Sequence, residues 1–216
     1  GLSVCDIGLR VEDAAATVER AKILGANLFT EPYGEGELDI PAIRGVGGGV
    51  IHFIDPSIGL AKLWQADFNP VVSDETDSGT LTQVDHLAQT MNYEEMLTWT
   101  LFYTSIFDVE KTPMVDIVDP DGLVRSRAIE APGGALRLTL NGADSHRTLA
   151  GRFVADSFGS SFQHLAFRTE DILATADKFV ELGFQPMEMP SNYYDDLTAR
   201  FSLSSETLSN LKSRNI

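Results

Sequence analysis

Apolar and polar residues alternate from Val4 to Val11 with the period of a half-buried strand. The pattern then changes. Glu12 and Asp13 put negative charge where a helix would start, Val18, Ala21 and Leu24 recur at helical spacing on one face, and Gly25 follows as a terminator. The same succession returns late in the chain: an apolar stretch around FQHLAF (162–167), Glu170 and Asp171, a helical face of Ile172, Ala176 and Phe179, then Gly183. After the first helix the pattern becomes that of hairpins. GELDIPAIRG (36–45) and GGVIHFID (48–55) are joined by glycines, and LVRSRAIEA (123–131) and ALRLTLN (135–141) by Pro132, Gly133 and Gly134, with an Asp119-Pro120-Asp121-Gly122 turn ahead of the second pair. SSETLSNLKSR (204–214) reads as a helix with a serine N-cap and an early Glu206.

These successions are copies of one unit. Residues 6–29 align without gaps to 164–187 with seven identities, among them Arg10/Arg168, Glu12/Glu170, Asp13/Asp171 and Gly25/Gly183. The offset of 158 is close to twice the 78 residues separating His86 from His164, so a middle copy should begin near residue 84, where VDHLAQT repeats the HLA of FQHLAF. The chain holds about two and a half copies of a roughly 79-residue unit. Strand, helix and three hairpin-linked strands make a βαβββ module, whose curved sheet needs a second copy to enclose a cavity. The expected fold is therefore α+β, with tandem βαβββ modules forming curved, barrel-like sheets with flanking helices. FNPVVSDETDSGTLT (68–82) is polar and turn-rich and reads as a linker. Residues 1–67 are expected to be the second half of an N-terminal domain, and 83–216 a C-terminal metal-binding domain that stops before its last strands.

Composition narrows the partners. With 216 residues and 43% hydrophobic content the chain can form one or two domains, and the repeat favours two. A formal net charge of −16 argues against nucleic acid and anionic membrane surfaces, which need clustered Lys and Arg. No apolar run approaches the roughly 20 residues of a membrane span, and no leader pattern opens the chain, so a soluble, cytoplasmic protein with a small-molecule partner is expected. The single Cys5 cannot form an internal disulfide and is expected as a buried thiol.

His86 and His164 carry the candidate chemistry because they occupy one position in two copies. Two neutral imidazoles and one carboxylate suit Fe(II), and accept Mg, Mn, Co or Zn, while leaving positions open for substrate and O2. The third ligand is expected on the last strand of copy three, beyond Ile216. In copy one, Asp6 takes the histidine position and His52 the final-strand position; His52 is expected in a core or loop role and His146 in a solvated loop.

SVCDIGLRV and LDIPAIRGVGG resemble the N-terminal domain of 4-hydroxyphenylpyruvate dioxygenases, VDHL and FQHLAF their two iron-histidine motifs, and PSNYYDDL their P-x-x-Y-Y segment. The resemblance, to a family of the vicinal oxygen chelate superfamily, runs across essentially the whole chain. It implies a non-haem Fe(II) enzyme that uses O2 to decarboxylate an aromatic or cyclic oxo acid and hydroxylate its ring, with iron on His86, His164 and a glutamate of the final strand. It also implies substrate contacts from Ser126, in VRSRAI, and Asn141, in LRLTLN. TLNGA (139–143) stands where the family has P-I-N-E-P. Together with NYYDDLTARFSL this wording is closer to the dioxygenase-like half of fused 3-dehydroshikimate dehydratases. That branch implies fusion to an upstream TIM barrel, which would perform the dehydration; homo-oligomerisation is the other assembly expected.

Overall fold

The structure is a computed structural model in which residues 3–58, 60–69 and 79–216 are described. Of the expected linker, residues 70–78 lie outside the described residues.

The first copy comprises β1 (Asp6–Arg10), α1 (Ala14–Ile23), β2 (Leu28–Phe29), β3 (Ala42–Arg44) and β4 (Val50–Ile54), followed by α2 (Leu60–Asp67). Asp13 caps α1 by accepting a hydrogen bond from the Ala16 amide at 2.8 Å, and Gly25 lies beyond its end at φ +85°. The sheet order is β1-β4-β3-β2, with β1 parallel to β4 and the hairpin pairs antiparallel. The second copy comprises β5 (Leu81–Asn92), α3 (Met96–Ile106), β6 (Glu110–Lys111), β7 (Val115–Asp119), β8 (Gly122–Glu130) and β9 (Arg137–Ala143). After α4 (Leu149–Asp156) the third copy opens with β10 (Ser161–Thr169) and α5 (Ile172–Glu181), and α6 (Ser191–Arg200) and α7 (Ser205–Ser213) follow. The second sheet runs β10-β5-β9-β8-β6, with β7 also paired to β8.

Within each of the first two copies the opening strand lies parallel to the closing strand, and the others continue as hairpins. This is the tandem α+β arrangement the repeat predicted; neither sheet closes into a barrel among the described residues. The third copy's first strand pairs with the second copy's first strand, β10 beside β5, so homologous positions of two copies become neighbours.

One face of each sheet is packed by a helix. Ile43, Ile51 and Phe53 lie in one buried cluster with Ala14 and Ala21 of α1, and the same cluster holds Leu87, Met91, Ile129, Leu138 and Leu140 with Met96, Tyr103 and Ile106 of α3. Each fully buried large side chain there contributes about 1.5–3 kcal/mol of apolar transfer. Gly142 lets the sheet approach α3 closely, since an added Cβ would push against the Met96 side chain and crowd the Tyr93 Cα. The first two copies are also joined by Arg20, which donates to the carbonyls of Ser105 (2.7 Å) and Ile106 (3.1 Å) at the C-terminal end of α3, where unpaired carbonyls favour a cation.

Among the described residues, contacts group those up to 69 with 85–166 as one compact unit and 79–84 with 167–216 as another. His86, His164, Ser126 and Asn141 all belong to the first. No helix among the described residues is long and apolar enough to cross a membrane.

Three local expectations need correction. Cys5 is exposed, because β1 starts one residue later and only the Cys5 carbonyl joins the sheet, accepting from the Val50 amide at 2.8 Å. Leu24 and Ile172 are exposed as well. Leu24 stands one residue past the end of α1, and Ile172 is the first residue of α5, whose buried position is Thr175.

Candidate metal centre

His86 lies on β5 and His164 on the neighbouring β10, and their ring centroids are 5.6 Å apart with planes at 79°. A ligating nitrogen sits about 2.1 Å from a divalent ion, which puts ring centroids about 3 Å from it, so two rings sharing an ion lie up to about 6 Å apart. The observed separation falls within that reach, and imidazole nitrogen suits Fe, Zn, Co and related ions. Among the described residues no three His, Cys, Asp or Glu side chains gather as a larger ligand set.

The two rings are held differently. His86 Nδ1 is 2.8 Å from Asp85 Oδ2. Arg137 Nη1 approaches both Asp85 oxygens, at 3.2 and 3.4 Å, and Arg137 Nε donates to Glu130 Oε1 at 2.8 Å. The hydrogen bond from His86, followed by the charge of Arg137, holds the Asp85 carboxyl below the usual carboxylate range against an opposing desolvation. His164 is shifted below the ordinary histidine value, first by partial desolvation and then by the neighbouring His86. Both causes favour a neutral imidazole at neutral pH, the form that binds metal.

Strand register places the other candidates. Ser126 of β8 is directly opposite Asn141 of β9, and Asn141 is in register with Thr90 of β5. These three form one polar row across three strands, on the sheet face opposite α3. Period-two alternation carries that face back along β5 through Ala88 to His86, about 13 Å from Thr90 at roughly 3.3 Å per residue. Between the two ends lies a row of small side chains, Ala88, Thr139 and Ala128. Thr90 is the member that sequence reasoning missed. It is fully buried, and its hydroxyl has no hydrogen-bond partner. Its only signal was an even spacing from His86 along a strand. Asp85, Arg137 and Glu130 were also missed, although Asp85 immediately precedes His86.

The other histidines lie elsewhere. His52 on β4 places Nε2 3.0 Å from Asp6 of β1, beside a cavity of about 550 Å³, and its Nδ1 is 3.4 Å from the Ile40 carbonyl oxygen. His146 sits in an exposed turn before α4.

Residues 83–205, which include both imidazoles and the polar row, match the family described as glyoxalase/bleomycin resistance protein/dioxygenase superfamily. The chain belongs to this superfamily. Residues 1–69 match the N-terminal family of hydroxyphenylpyruvate dioxygenases. Among curated relatives, the chain is 37% identical over 217 residues to a 3-dehydroshikimate dehydratase of Pseudomonas aeruginosa, covering all of this chain and 34% of that protein. It is 30% identical over 218 residues to a 4-hydroxyphenylpyruvate dioxygenase of the same organism, covering all of this chain and 61% of that one. A solved structure of a xylose isomerase-like TIM barrel/4-hydroxyphenylpyruvate dioxygenase fusion protein superposes with a TM-score of 0.74 at 34% identity, over 99% of this chain and 33% of that chain. The chain thus spans about a third of the dehydratases and about three fifths of the dioxygenases.

Proposed function

We propose that this chain carries the metal site of a non-haem Fe(II) dioxygenase acting on an aromatic 2-oxo acid. The observation that supports it is the meeting of imidazoles from two repeat copies, with ring centroids 5.6 Å apart. His86 and His164 hold the ion in this reading, Fe(II) first and Mg, Mn, Co or Zn as alternatives, with a carboxylate from elsewhere in the protein as third donor. When bound, the ion supplies a Lewis-acidic centre at which an oxo acid and O2 can be held side by side. The protein's own residues position the substrate. Ser126, Asn141 and Thr90, on the sheet face that carries His86, would offer hydrogen bonds to a bound oxo acid. The test is O2 uptake by the full-length protein loaded with Fe(II) and given 4-hydroxyphenylpyruvate. Uptake that His86→Ala abolishes supports the reading; no uptake by the wild type contradicts it.

The higher identity to a 3-dehydroshikimate dehydratase and the likeness to a TIM-barrel fusion favour a second reading. Here the chain is the dioxygenase-like, metal-binding module of a bifunctional dehydratase whose dehydration belongs to an upstream barrel. Dehydration of 3-dehydroshikimate that persists in His86→Ala, with no O2 uptake by the wild type, selects this reading.

A further inference from the structure

We infer that Asp85 is a positioning residue that fixes the proton of His86 on Nδ1 and so presents Nε2 to the metal, and that Arg137 and Glu130 hold Asp85 in place. The inference rests on the metal reading above and gives Asp85, Arg137 and Glu130 a role beyond holding the sheet together. A carboxylate only accepts hydrogen bonds, so at 2.8 Å from Asp85 Oδ2 the Nδ1 atom of His86 is the donor. The ring then keeps its free lone pair on Nε2, and only that nitrogen can ligate.

Contact between the side chains of adjacent strand residues works against the alternation of a strand, which sends neighbours to opposite faces. The carboxylate therefore needs an outside hold. Arg137, on the parallel neighbour β9, reaches both of its oxygens. Glu130 faces Arg137 across the β8–β9 ladder and fixes the guanidinium through Nε at 2.8 Å. The result is a line of alternating charge, Glu130 to Arg137 to Asp85, drawn across three strands and ending on an imidazole. His164 has no such partner among the described residues, so only one of the two rings is oriented in advance. If the cluster served stability alone, its removal would lower the melting temperature without touching the imidazole proton or the metal affinity.

The experiment uses full-length protein labelled with 15N-histidine, in wild-type, Asp85→Asn and Asp85→Ala forms, with Co(II) as the probe ion. In metal-free wild type, long-range 1H–15N correlations show His86 protonated at Nδ1, whereas Asp85→Ala shifts it toward the Nε2-protonated form. The Co(II) dissociation constant rises about 10- to 100-fold in Asp85→Ala and less in Asp85→Asn, which keeps an acceptor oxygen and the shape of the site. Equal Co(II) affinity in wild type and Asp85→Ala overturns this inference alone, as does an unchanged tautomer. Failure of the wild type to bind Co(II) overturns the metal reading and this inference with it. The near-isosteric Asp85→Asn keeps the test decisive if the alanine variant does not fold.

Discussion

The sheet that carries His86 depends on one buried polar contact with α3, and Tyr103→Phe tests its weight. Tyr103 and Gln89 are both fully buried, and the phenol donates to Gln89 Oε1 at 2.9 Å. Burial pushes the phenol above its usual pKa, so it stays a donor throughout the working pH range. The Gln89 Nε2 atom already lacks a partner. Removing the hydroxyl strands the Oε1 atom as well, leaving a whole amide unsatisfied at a cost of about 1–3 kcal/mol. Taking about 2 kcal/mol with an m-value of about 2–3 kcal/mol/M, the urea midpoint falls by roughly 0.7–1 M. The melting temperature falls by about 4–8 °C for a chain of this size. Adding Gln89→Leu to the variant removes the stranded amide and restores most of the loss, since replacing both partners by apolar groups is nearly neutral. Urea unfolding of the four proteins of this cycle measures it. A Tyr103→Phe variant within about 0.5 kcal/mol of wild type, or a double variant no better than the single one, refutes the reasoning.

Other outcomes follow from single features. Gly47 has φ +63° and its added Cβ would overlap the Ser160 carbonyl oxygen, so Gly47→Ala should cost at least about 2 kcal/mol, while Gly48→Ala, at φ +80° with open space around it, should cost about 1 kcal/mol; equal melting temperatures would contradict this. Thr90→Val removes an unpartnered buried hydroxyl, so stability in the absence of ligand should hold or rise by up to about 1 kcal/mol. Loss of its substrate hydrogen bond should raise KM about fivefold, and an unchanged KM would exclude Thr90 from the substrate site. Asp177 accepts from Arg214 at 2.7 and 2.8 Å, and this hydrogen bonding, chiefly, depresses its folded pKa. Its contribution is therefore present above the unfolded value of about 3.9 and is lost as pH falls through the folded value. Asp177→Asn should be less stable than wild type at neutral pH and should converge with it in strong acid; a pH-independent difference would contradict this assignment.

Much of the architecture was legible because duplication writes itself into sequence. Seven identities at one offset announced copies of a unit, and Asp13 and Asp171, an identical pair, each cap the helix that follows. The glycines at 25 and 183 both take positive φ just past a helix end, where a side chain is strained. Helical faces were less legible at their ends: Leu24 and Ile172 fit the period but lie where the backbone leaves or enters the helix. The surroundings of the histidines were hidden for a different reason. Arg137 lies 52 residues from Asp85, and only the parallel register of β5 and β9 brings them together. Thr90 gave no signal of its own, since a threonine in a strand is unremarkable until its register with Asn141 and Ser126 is known.

The most direct test of the account is X-ray absorption of the Fe(II)-loaded full-length protein, which counts the imidazoles bound to the ion. Two imidazole ligands in the wild type, and one in either His86→Ala or His164→Ala, is the predicted result. A spectrum that either substitution leaves unchanged would contradict a metal centre shared between two repeat copies.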